Sequence, residues 1–87
     1  MSDFDYGAPA ELFSSKRTKS RYSQVAYKRF DAAALAIQYA IEELSPEQLA
    51  GAVLEVDEVR YAHVEIRHLY ENDEYPLQRR VHERQGN

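Results

Sequence analysis

The chain has no cysteine, three glycines, three prolines and no apolar run longer than residues 32–37. Each scarcity removes a class of function. Without cysteine there is no disulfide framework and no thiolate metal site, a composition that fits a reducing compartment. Three scattered glycines form neither a phosphate-cradling loop nor a dinucleotide fingerprint. The short apolar run cannot span a bilayer. The N-terminal stretch MSDFDYGAPA places acids where a secretory signal needs basic residues, and it has no apolar segment behind them. The expectation is a cytoplasmic protein with no membrane partner.

Eighty-seven residues make one domain, with thin stability for its size. The net charge of −4 argues against a nucleic-acid binder, but its distribution is uneven. Formal charge runs −3 over residues 1–11, +6 over 12–30, −7 over 31–58, −2 over 59–75 and +2 over 76–87. A basic segment is followed by an acidic one.

Residues 1–10, broken by Gly7 and Pro9, read as a flexible tail. Residues 11–77 read as the domain and 78–87 as a second tail. ELFSS and YSQVAYKRF are strand candidates around a loop without apolar residues, KRTKSR, so a β-hairpin spans 11–30. Asp31 is a candidate N-cap for the helix DAAALAIQYAIEEL, whose stripe Ala33, Ile37, Ala40, Ile41 and Leu44 faces a core. Leu35 and Tyr39 fall on its polar side. SPEQLAG carries a capping box, Ser45 with Gln48, and Pro46 at the first helical position. AVLEVDE alternates like a strand with one wet face. AHVEIRHLYEN is helical, with Ala62, Ile66, Leu69 and Tyr70 inward and Val64 outward. The predicted fold is α+β, a two-layer sandwich in the order β-β-α-β-α. A hairpin plus one strand make a three-stranded sheet with two helices on one face. Its other face, bearing Val53, is bare in a lone copy.

The strings SSKRTKSRYSQVAYKRF, AIQYAIEEL, GAVLEVDE and IRHLYENDEYPLQRR together resemble a group of short bacterial α/β proteins without assigned activity, over roughly residues 13–80. The resemblance implies a compact α/β domain and transfers no site residue.

Chemistry finds little to build on. His63 and His68 lie five apart, about 140° around a helix, and cannot grip one ion. Adjacent carboxylates such as Glu42 and Glu43 diverge by about 100° on a helix. Ser14, Ser15, Ser20 and Ser23 have no histidine near them in sequence. No catalytic, cofactor or metal residue is assigned, and the expectation is a protein that is not an enzyme.

Two binding readings remain. Leu35, Tyr39 and Val53 are the candidate self-association residues of a homodimer that works through protein contacts. The alternative is a nucleic-acid-binding module. Its Lys16, Arg17, Lys19, Arg21, Lys28 and Arg29 would meet phosphates while Tyr22 and Tyr27 stack on bases. It is the less favoured reading, since basic residues also guard sheet edges.

Overall fold

The computed structural model describes residues 4–16 and 24–78. The described elements are β1 (Ala10–Lys16), β2 (Gln24–Phe30), α1 (Ala33–Glu43), α2 (Pro46–Ala50), β3 (Val53–Val56), β4 (Val59–Ala62) and α3 (His63–Glu71). The four strands form one antiparallel sheet in the order β2-β1-β3-β4. The fold is α+β as expected, with four strands and three helices where three and two were predicted.

The extra strand, β4, joins β3 through a two-residue turn, Asp57–Glu58, with both residues at positive φ (54° and 70°). Such a turn matches the twist of a hairpin and ordinarily takes Asn-Gly or Asp-Gly. Here two carboxylates occupy it, so the sequence carries no hairpin signal. Left-handed backbone at a glutamate costs on the order of 1 kcal/mol or more. Glu58→Gly is therefore expected to raise stability by about 0.5–1 kcal/mol, the relief exceeding the entropy glycine adds to the unfolded chain. Urea unfolding measures it, and a loss of stability would show that the turn is unstrained.

The hairpin β1–β2 forms as expected, pairing Ala10 with Phe30 through to Lys16 with Gln24. β2 is an edge strand of the sheet. The central strands β1 and β3 bury Ala10, Leu12, Ser14, Leu54 and Val56 on one face. All three helices pack against the sheet. α1 supplies Ala33, Ile37 and Ala40, none of them exposed at all; its alanines let the helix approach closely. α3 adds Ile66 and Tyr70. Ala62, expected inside, is the exposed last residue of β4. The capping box at α2 is present, with the Gln48 N–H donating to Ser45 Oγ (3.2 Å) and the Ser45 N–H to Gln48 Oε1 (3.0 Å). The thinnest dimension, 19 Å, is that of two layers.

The N-terminus departs most from the sequence reading. Residues 4–9, expected within a tail, form a strap across α1 and α3. The Phe4 ring meets Tyr6 (4.9 Å between centroids) and Tyr61 (5.3 Å) edge-on. Tyr6 donates its hydroxyl to the Leu69 carbonyl (2.8 Å). The Tyr6 carbonyl accepts the Ala34 N–H (2.9 Å), one of the donors left over at the start of any helix. Asp31 was expected to cap α1. Instead Ala32 occupies the cap position with no side-chain bond, and a backbone carbonyl from the strap does part of that work. Residues 75–77 make a second strap beside the first, Tyr75 contacting both Tyr6 and Tyr70. Among the described residues no helix is long and apolar enough to cross a membrane.

Candidate interaction surfaces

The sheet register arranges the face away from the helices into two rows. One reads Tyr27, Phe13, Val53, Ala62 across β2, β1, β3 and β4. The other reads Arg29, Glu11, Glu55, Arg60. None of these eight residues is buried, and no described element lies over them. Tyr27 is 55% exposed, its ring tilted against Phe13 at 5.3 Å. The first row is an apolar stripe and the second is a charge ladder with positive ends and a negative middle.

Glu11 and Glu55 face each other across neighbouring strands, a pairing that destabilises by a few tenths of a kcal/mol unless compensated. Compensation comes from both sides. Tyr27 Oη donates to Glu11 Oε2 (2.9 Å), and Arg60 Nε lies 3.4 Å from Glu55 Oε1. The hydrogen bond to Glu11 is the main reason the Tyr27 phenol titrates above its ordinary value. The Arg60 side chain is 72% exposed, so that ion pair adds little to stability.

Of the expected self-association residues, only Val53 lies on this face. Leu35 and Tyr39 stand on the outer side of α1, in the other layer, so the three do not form one surface. Tyr39 is half-buried, its ring 5.6 Å from that of Phe30, with Lys28 Nζ 5.6 Å above it and 5.7 Å from Phe30. A large aromatic on a polar helix side is thus accounted for by the sheet edge. Leu35 remains 42% exposed.

The expected basic footprint divides. Arg17, Lys19, Arg21 and Tyr22 lie outside the described residues. Lys16 is the last residue of β1. Of the rest, Tyr27 and Arg29 point to the open face and Lys28 to the helix side. Ser14 is buried on the helix side. Among the described residues no group of three or more histidines and carboxylates gathers to hold a metal ion.

Sequence reasoning missed Phe13, Glu11, Glu55 and Arg60 as surface partners of Val53 and Tyr27. Their adjacency follows from register alone. The hairpin pairs residues whose numbers sum to 40, and only the β1–β3 pairing carries the rows onward. No family model, curated protein or solved structure matches this chain.

Proposed function

We propose that this chain is a small, non-catalytic protein-interaction domain that pairs with a second copy of itself through the open face of its sheet. The observation that carries the reading is the uncovered stripe Tyr27–Phe13–Val53 on a four-stranded sheet whose opposite face packs against the helices. Two such sheets can pack at about 10 Å, aligned within about 30°, with the aromatic stripes inside and the charge ladders at the rim.

The open face is small. Four strands about 4.8 Å apart and four to seven residues long offer roughly 300–400 Å² per copy. That is about half of a standard interface, which puts the contact in the weak, reversible class. The nucleic-acid reading finds less support among the described residues. A phosphate chain laid on this face would meet Glu11 and Glu55 between the two arginines, and Lys28 is engaged with two aromatic rings.

Light scattering coupled to size-exclusion chromatography tests the proposal. The protein is expected to shift from monomer to dimer across micromolar concentrations. Val53→Asp or Tyr27→Asp should weaken the dimer at least tenfold, since each buries a charge at the stripe, while Leu35→Asp should not. A wild type that stays monomeric at high micromolar concentration sinks the proposal. So does a dimer indifferent to both stripe substitutions.

A further inference from the structure

The sheet ends on one side at β2, and the outer edge of that strand is unpaired among the described residues. β2 is seven residues long, pairs with β1 over its whole length without a bulge, and contains no proline. The opposite edge, β4, has four residues and runs directly into α3. A long unbroken edge is a row of backbone donors and acceptors that another strand can satisfy. Charged side chains are one guard against such pairing, and β2 carries two, Lys28 and Arg29. Both project from the faces of the sheet, where they leave the backbone groups accessible. The Lys28 ammonium lies over the rings of Tyr39 and Phe30 (5.6 and 5.7 Å), drawn toward α1. Arg29 stands on the open face, in the row of Glu11.

We propose that this edge pairs with the same edge of a second copy, β2 antiparallel to β2, about a two-fold axis through Tyr27. Tyr27 is the middle residue of the strand, so this register uses all of it. Lys28 then stands opposite Ala26 and Arg29 opposite Val25, and no like charges face each other directly. Moving the centre to Lys28 would set two ammonium groups against each other. Moving it to Ala26 would leave Arg29 and Phe30 beyond the partner's strand. A centre between two residues is excluded, because it would set helix-side residues opposite open-face ones.

The axis is perpendicular to the sheet, so both copies keep their helices on one side and their open faces on the other. The apolar row then runs Val53, Phe13, Tyr27 and, across the axis, Tyr27, Phe13, Val53. Each open face of roughly 300–400 Å² becomes one of roughly 600–800 Å², near what a standard interface takes from each partner. Two such doubled sheets, packed by their open faces, can close into an assembly of four with two kinds of two-fold contact. This gain in area rests on the open-face contact proposed above, whereas the edge pairing stands without it.

The chain has no cysteine, so disulfide trapping reads the pairing directly. Full-length Ala26→Cys and Lys28→Cys chains are mixed in equal amounts, oxidised with copper–phenanthroline and analysed by mass spectrometry. In the proposed register the two positions are directly opposite and within disulfide reach, whereas each lies about 7–8 Å from its own counterpart. Both are on the helix side of the sheet, where open-face packing cannot bring them together. The mixed disulfide is expected about fivefold above either like disulfide, and above that of an exposed Val64→Cys control. Light scattering at about millimolar concentration gives a second reading, with the wild type passing beyond two copies toward four. Ala26→Lys, which sets like charges opposite each other, should stop it at two. Val53→Asp should keep the edge pair and its cross-link. A mixed disulfide no more abundant than the like ones overturns the edge pairing, and so does assembly beyond two copies that ignores Ala26→Lys. A wild type that stops at two copies, which Val53→Asp dissociates, overturns it while leaving the open-face contact standing. A cross-linked edge pair with assembly indifferent to Val53→Asp removes the open-face contact alone.

Discussion

Removing residues 1–9 is expected to cost this domain about 5–6 kcal/mol, although the deletion leaves every strand and helix intact. β1 begins at Ala10, so no ladder bond is lost. What goes is the strap. Phe4 and Tyr6, each packed against the core, contribute on the order of 1.5–2 kcal/mol apiece by area. The Tyr6 hydroxyl bond to Leu69 and the carbonyl that receives the Ala34 N–H add about 1 kcal/mol each. For 87 residues the whole stability is of order 4–13 kcal/mol, so the truncated chain is expected to be marginal or unfolded at room temperature. Tyr6→Phe keeps the ring and loses only the hydroxyl, and is expected to cost about 1 kcal/mol. Urea unfolding followed by far-UV circular dichroism measures both. A truncated chain within about 1 kcal/mol of the full one would show that the strap is not structural.

That strap is where sequence reading and structure part company, and the cause is physical. Pattern reading detects periodicity, and residues 4–9 have none. Gly7 and Pro9 read as breakers. They do break regular structure, yet an irregular segment is held when its few backbone groups find partners. Asp5 supplies these locally, accepting from Gly7 N with its side chain and from Ala8 N with its carbonyl. The aromatics then dock between α1, α3 and the second strap. The same limit hid β4. Its residues, VRYA, alternate too briefly to stand out, and its turn uses Asp57–Glu58 where a hairpin signal would need glycine.

Elements with local chemistry were readable. The Ser45–Gln48 box and the alternation of β3 depend on residues within a few positions of one another, and both formed as read. The start of α1 shows the boundary of that success. Asp31 has the right chemistry for a cap, but a long-range donor–acceptor pair between Tyr6 and Ala34 lies at the helix start. The candidate surface divides in the same way. Exposure of Leu35 and the wet side of Val53 followed from helical and strand periods. Which residues join Val53 did not, because rows across a sheet are set by pairing of strands far apart in sequence.

Tyr75→Ala is expected to lower stability by about 3–5 kcal/mol, the cost of emptying a buried aromatic site. The residue is 6% exposed, follows no regular element and precedes a proline, so nothing in its sequence context marks it as core. Its ring lies edge-on to Tyr6 (5.8 Å) and tilted against Tyr70 (5.1 Å), and its hydroxyl donates to the Ala34 carbonyl (3.1 Å). Ala34 is thus held from two directions, its N–H by the first strap and its carbonyl by the second. Tyr75→Phe should cost only about 1 kcal/mol, since the Ala34 carbonyl lies within α1 and keeps its helical donor. Tyr6 and Tyr75 share a contact, so their alanine substitutions should not add. The double variant is expected to lose about 0.5–1.5 kcal/mol less than the sum of the singles. Additive losses would mean the straps are anchored separately. A Tyr75→Ala cost near that of Tyr75→Phe would mean the ring fills no space the fold depends on.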